Sequence, residues 1–237
     1  MAADTSTLTD YNWSWNSEFI IRTCYGSTCL HYLCCRVQSC ECSCSSAAGC
    51  GNSSMSSDMH SCGFTSITNI DYSAVCIEAM AARHRGCPGM DWHQMDARSL
   101  TFAEGSFDVV LEKGTLDAMM VEEKDPWRVS PETSEMVQQV LKQVSRVLKP
   151  GGRFISITFA QPHFRKQQYA REEFGWSVRH DTYGSGFHYF LYVMTKGEAL
   201  SPEERVLQSR LDEGEGLQPP PTLQIPDTED FLNNIQV

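Results

Sequence analysis

Three short strand-like runs, each closing on an acidic residue, constrain this chain more than any other feature. The run 67–70 ends at Asp71, the run 90–95 at Asp96 and the run 107–111 at Glu112. Runs this short, with aliphatic and aromatic content and turn residues on either side, are strand-like. After the first of them, Ser73 is placed to cap a helix carrying Val75, Ile77, Met80 and Ala81. The strongest helical pattern spans 131–148, with Ser130 as cap, Pro131 in the first turn and a stripe of Met136, Val137, Val140, Leu141, Val144, Val147 and Leu148. Lys149, Pro150, Gly151 and Gly152 stop it, 154–159 reads as a buried strand, and 161–173 as one more helical stretch. Such alternation predicts an open, largely parallel α/β sheet, and acids at its carboxyl strand ends stand where those sheets bind ligands.

The pattern then changes. Two strand-like runs, 176–183 and 187–195, are separated only by Gly184, Ser185 and Gly186. That connection makes an antiparallel hairpin and is too short for a parallel crossover. A strand-helix alternation closed by such a hairpin resembles the class I methyltransferases, so the expected fold is a Rossmann-like α/β sheet of seven strands. In that fold, S-adenosylmethionine needs a glycine turn for close backbone approach, an acid for the ribose hydroxyls and a further acid for the adenine amino group. Gly49 and Gly51 supply the turn. Asp71, 22 residues after Gly49 and close to the ~20 of a βαβ unit, supplies the first acid, and Asp96 the second.

A narrower resemblance rests on longer runs. GCGNS at 49–53, IDYSAV at 70–75, MDARSLTF at 95–102, SFDVVLEKGTLDAM at 106–119, SRVLKPGGRFISITF at 145–159 and PHFRKQQYA at 162–170 are similar to the elongation factor 1-alpha lysine methyltransferase family. The most specific of these elements is LEKGTLDA. The resemblance implies cofactor contacts at Gly49, Asp71, Tyr72, Asp96, Ala97 and Lys113, with Trp13 matching part of a cofactor lid. It also implies that Glu112, Lys113, Gly114, Thr115, Leu116 and Asp117 are needed for activity. On chemical grounds, Glu112 or Asp117 would orient the acceptor amine. The acceptor itself would be a lysine of translation elongation factor 1-alpha. The hairpin aromatics Tyr183, Phe187, His188 and Tyr189 are candidates for lining the lysine pocket.

Composition divides the chain into three parts: an atypical, poorly ordered Cys- and Ser-rich segment at 1–46, the methyltransferase domain at 47–197, and an acidic, Pro-containing tail at 198–237. All 11 cysteines lie at or before Cys87. Cys34, Cys35, Cys40, Cys42 and Cys44 do not form the paired spacing of a zinc site, so no metal is expected. The net charge of −11 disfavours nucleic-acid binding and suits a basic protein partner. With no run long and apolar enough to span a bilayer, a soluble cytoplasmic protein is expected. One departure stands out. The first strand of this fold is central and buried, yet the eight residues before Gly49 contain no Val, Ile or Leu. Two other readings therefore stay open on sequence alone: a small-molecule methyltransferase, and a catalytically weak or inactive binding module.

Overall fold

The computed structural model describes residues 31–35, 50–51, 53–61, 63–125, 128–183 and 189–213, with the first span and Tyr183 described by backbone only. Seven strands form one sheet: β1 (His31–Cys35), β2 (Ile67–Asp71), β3 (Met90–Gln94), β4 (Phe107–Lys113), β5 (Leu148–Thr158), β6 (Trp176–Tyr183) and β7 (Tyr189–Lys196). Their order across the sheet is β3-β2-β1-β4-β5-β7-β6. The pairs β2/β3 and β4/β5 are parallel, and β7 runs antiparallel to both β5 and β6. The hairpin predicted from the short Gly-Ser-Gly connection is therefore present.

Every residue of β2 is buried, as is nearly all of β4, because helices cover both faces. The helices are α1 (Met55–Ser61), α2 (Ala74–Arg83), α3 (Thr115–Met119), α4 (Pro131–Val147), α5 (Pro162–Tyr169) and α6 (Pro202–Asp212). Alternation along β4 and β5 divides the core between the two faces. Val110 and Phe154 point to the side where Val137, Val140, Leu141 and Val144 of α4 pack, whereas Val109, Leu111, Ile155 and Ile157 meet Met55 and Met59 of α1. The caps follow the sequence reading: Ser73 accepts from the Cys76 N–H and Ser130 from the Thr133 N–H.

Two expectations change. The segment 1–46, read as lying outside the domain, contributes the central strand, for β1 pairs antiparallel with both β2 and β4. His31–Cys35 carries a β-favouring Tyr and a large apolar Leu, neither of which occurs in 41–48. Residues 41–49 themselves lie outside the described residues. The second change is in the tail. Its opening stretch is the helix α6, which Ser201 and Glu204 start with a reciprocal capping box and which docks through Glu204 on Lys166 of α5. Pro202 in the first turn and the Ser-x-x-Glu spacing carried that signal, and the acidic composition masked it.

The Lys149-Pro150-Gly151-Gly152 run does end α4, but it also opens β5, which begins at Leu148 without an intervening loop. A side chain at Gly152 would put its Cβ 2.8 Å from the Lys149 carbonyl oxygen and 3.0 Å from that of Asp108. Backbone atoms on two strands cannot retreat cheaply from such an approach. Gly152→Ala is expected to cost about 1–3 kcal/mol of folding free energy, read as a lowered urea midpoint with an unchanged slope.

Candidate active site at the carboxyl ends of the strands

Asp71 closes β2 with its carboxylate already organised. One oxygen accepts from the Gly51 N–H at 3.1 Å and the other from the Ser73 N–H at 2.8 Å. The Cys50 N–H donates to the Ile70 carbonyl at 3.1 Å, so the glycine turn is tied to the end of β2, and Gly51 takes a positive φ of 49°. The next residue, Tyr72, leaves its ring 81% exposed beside this carboxylate. The Met95 N–H donates to the Asp71 carbonyl at 2.8 Å, which brings the end of β3 alongside. There Asp96 takes a two-pronged pair from Arg98, which lowers its pKa and keeps it ionised, with Ala97 half-buried between them. Gly49 and Trp13 lie outside the described residues.

The segment 112–117 forms a tight turn, and the reason is local. Gly114, with φ 72°, is the N-cap of α3 and has no side chain to cap with. Glu112 does so from behind: its Oε2 accepts from the N–H groups of Thr115 at 3.0 Å and Leu116 at 3.4 Å. Its other oxygen accepts from the Ser156 hydroxyl, which in turn accepts from the Tyr169 hydroxyl at 2.6 Å. Glu112 is fully buried, and burial followed by repulsion from Asp117 pushes its pKa up to about 8. The sequence reading left Glu112 and Asp117 as equal candidates for orienting an amine. The structure separates them: Glu112 caps the turn, and Asp117 reaches the cleft.

That cleft, of about 460 Å³, opens beyond β4 and β5 and is lined by Asp117, Met120, Glu123, Val129, Phe159, Ala160, Gln161, Phe164 and Arg165. Asp117 Oδ1 accepts from the Thr158 hydroxyl at 2.5 Å and pairs with Arg165, whose guanidinium is 3% exposed. Phe159 is held by Tyr189 of the hairpin, with ring centroids 4.3 Å apart. Of the other expected hairpin aromatics, Phe187, His188 and the Tyr183 side chain lie outside the described residues. Six buried side-chain polar atoms lack a hydrogen-bond partner among the described residues. Three of them, Thr115 Oγ1, Asp117 Oδ2 and Arg165 Nε, cluster on this turn and its ion pair. Unsatisfied buried polar groups are costly and gather where a ligand completes them.

Sequence reasoning missed Arg165, Ser156 and Tyr169. Arg165 stands in the quoted PHFRKQQYA run, but only the packing of α5 behind β5 brings it to Asp117. No helix among the described residues is long and apolar enough to cross a membrane.

The chain is similar to several known methyltransferases. Residues 47–156 match the profile of a family described as "Methyltransferase domain". EEF1A lysine methyltransferase 4 of Mus musculus is 50% identical over 190 residues, covering 80% of this chain and 74% of the mouse protein. The Bos taurus protein of the same name is 50% identical over 195 residues, with the same coverage. The eEF1A lysine and N-terminal methyltransferase of Homo sapiens is 40% identical over 137 residues, which is 55% of this chain and 18% of that protein.

The buried Glu112 carboxyl makes stability depend on pH. An unfolded glutamate ionises near 4.5, whereas the folded one holds its proton to about 8. Its contribution is therefore fully present below the lower value and is lost as pH rises through the upper one. Glu112→Gln, which mimics the protonated form, is expected to flatten that decline and to be more stable than the wild type above about pH 8, by a few kcal/mol at most. Urea unfolding across roughly pH 5 to 9 measures it.

Proposed function

The chain belongs to the EEF1A lysine methyltransferase 4 family, and from that premise we propose that it transfers a methyl group from S-adenosylmethionine to a lysine of translation elongation factor 1-alpha. The observation that carries this reading is the convergence of Asp71, Asp96 and the 112–117 turn at one edge of the sheet, beside an aromatic cleft with an orphaned carboxylate oxygen.

The cradle suits the cofactor. Asp71 spends one lone pair of each oxygen on a backbone N–H and keeps the others for ribose hydroxyls. Tyr72 offers an exposed ring, Asp96 an ionised acceptor, and Gly51 a backbone that a ligand can approach closely. Lys113 stands at the end of β4, between this cradle and the cleft. When bound, the sulfonium supplies an electrophilic methyl group.

The protein's own work is to deliver a neutral amine in line with that methyl. At a reference pKa of about 10.4, deprotonating lysine at pH 7 costs roughly 4–5 kcal/mol. Met120, Phe159 and Phe164 desolvate the side chain and so lower that cost as the proton leaves to water. Asp117 alone would oppose this by stabilising the ammonium, but buried Arg165 neutralises its charge. What remains is a carboxylate in the cleft wall, held by Arg165 and Thr158, that orients the amine as an acceptor. Glu112 acts at one remove, by holding the turn from which Asp117 projects.

A second reading has one observation in its favour. The central position of the sheet is filled by an antiparallel strand, and a sheet so built could bind partners without turnover. Titration calorimetry separates the two: micromolar S-adenosylmethionine binding supports the enzyme, and absence of binding at millimolar cofactor supports the module.

Two substitutions divide the site by role. Asp71→Asn is expected to weaken cofactor binding by about 10–100-fold, the worth of a charge-assisted hydrogen bond. Asp117→Asn is expected to leave that affinity within about twofold while lowering label transfer to elongation factor 1-alpha by about 10–100-fold. Label appearing only in small molecules of a cell extract would overturn the lysine acceptor.

A further inference from the structure

The cofactor reading does not use the two thiols that flank Asp71. Cys50 follows the glycine turn and is 4% exposed; Cys76 sits in the first turn of α2 and is partly buried. Both are free. Their sulfur atoms and a carboxylate oxygen of Asp71 all lie within 4.8 Å of one another. Each group is held by a different backbone contact. Cys50 is fixed by its N–H to the Ile70 carbonyl, Asp71 by the Gly51 and Ser73 N–H groups, and Cys76 by its own N–H to Ser73 Oγ at 3.3 Å.

We propose that Cys50, Asp71 and Cys76 form a site for a thiophilic divalent cation, and that an ion there and the ribose of the cofactor exclude one another at Asp71. The donor set points to the ion. Two thiolates select a soft or borderline metal such as zinc or cadmium over magnesium or calcium, and a carboxylate completes three of the four ligands of a tetrahedral site. Metal–sulfur bonds of about 2.3 Å in a tetrahedron put ligands roughly 3.5–3.8 Å apart. The observed cluster needs a contraction of about an ångström, within reach of side-chain rotation. Three groups that are anionic when they ligate would repel one another at this spacing, and a divalent charge removes that repulsion. Asp71 has lone pairs left after its two backbone bonds, but the ion takes those that the ribose hydroxyls require. The exclusion half of the proposal rests on the cofactor reading above; the metal site does not.

The test uses the full chain, kept reduced and titrated with cadmium, following bound metal by equilibrium dialysis and thiolate-to-cadmium charge transfer by ultraviolet absorbance. The cysteines elsewhere contribute equally to wild type and variant, so the difference isolates the site. Cys76→Val is expected to bind about one cadmium fewer than the wild type, with loss of the corresponding absorbance, and Cys76→Ser to repeat the loss. Equal stoichiometry in wild type and both variants overturns the site. In calorimetry, cadmium is expected to weaken S-adenosylmethionine binding to the wild type at least about tenfold and to leave Cys76→Val within about twofold. Equal weakening in both, or in neither, overturns the exclusion. If metal-free wild type binds no cofactor at all, the cofactor reading falls, and the dialysis difference still decides the metal site.

Discussion

The buried carboxyl of Glu112 joins four elements through one side chain. It lies one residue before the end of β4, caps α3 through two N–H groups, and is anchored to β5 by Ser156 and, through that hydroxyl, to α5 by Tyr169. Gly114 cannot cap the helix it starts, so the turn has no other side-chain cap among the described residues. Placing a carboxyl in the core is costly, and holding a proton to about 8 is how that cost is moderated. The return is a rigid 112–117 segment from which Asp117 reaches the cleft in a fixed direction.

Asp117 and Arg165 form the second tier of this arrangement. A lone carboxylate in the cleft would hold lysine as an ammonium, which is not a nucleophile. With the guanidinium almost wholly buried behind it, the carboxylate keeps its acceptor geometry and loses most of its field. Met120 also contacts that guanidinium through its sulfur, at 3.1 Å, so the apolar wall and the ion pair are positioned together. The cradle and the cleft thus sit on opposite sides of the β4 terminus and share its rigidity.

Much of the sheet was legible because its signals are local. Acid-terminated strands, Ser73 and Ser130 as caps, the stripe of α4 and the short hairpin connection each depend on neighbours a few residues away. Asp71 and Asp96 could be placed at strand ends from position alone. Other features gave no such signal. The central strand comes from His31–Cys35, and β1 pairs with β2 across more than thirty residues of sequence, as in Cys35 with Ile67. Composition marked the stretch from Glu198 as an acidic tail, but burial of Glu204 against Lys166 depends on the surface of α5.

What the sequence determined by itself was the alternation of elements, their caps and the acids at the strand ends, because periodicity and capping are set within a few residues. It also carried the family resemblance in LEKGTLDA. Only the tertiary structure decided which acid caps and which faces the cleft, because Ser156 lies 44 residues from Glu112 and Arg165 lies 48 from Asp117. The same holds for Cys50, Asp71 and Cys76, whose side chains meet only after β2 and α2 have folded over the glycine turn. Charge and burial act through space, and the path of the chain between such groups leaves no local pattern to read.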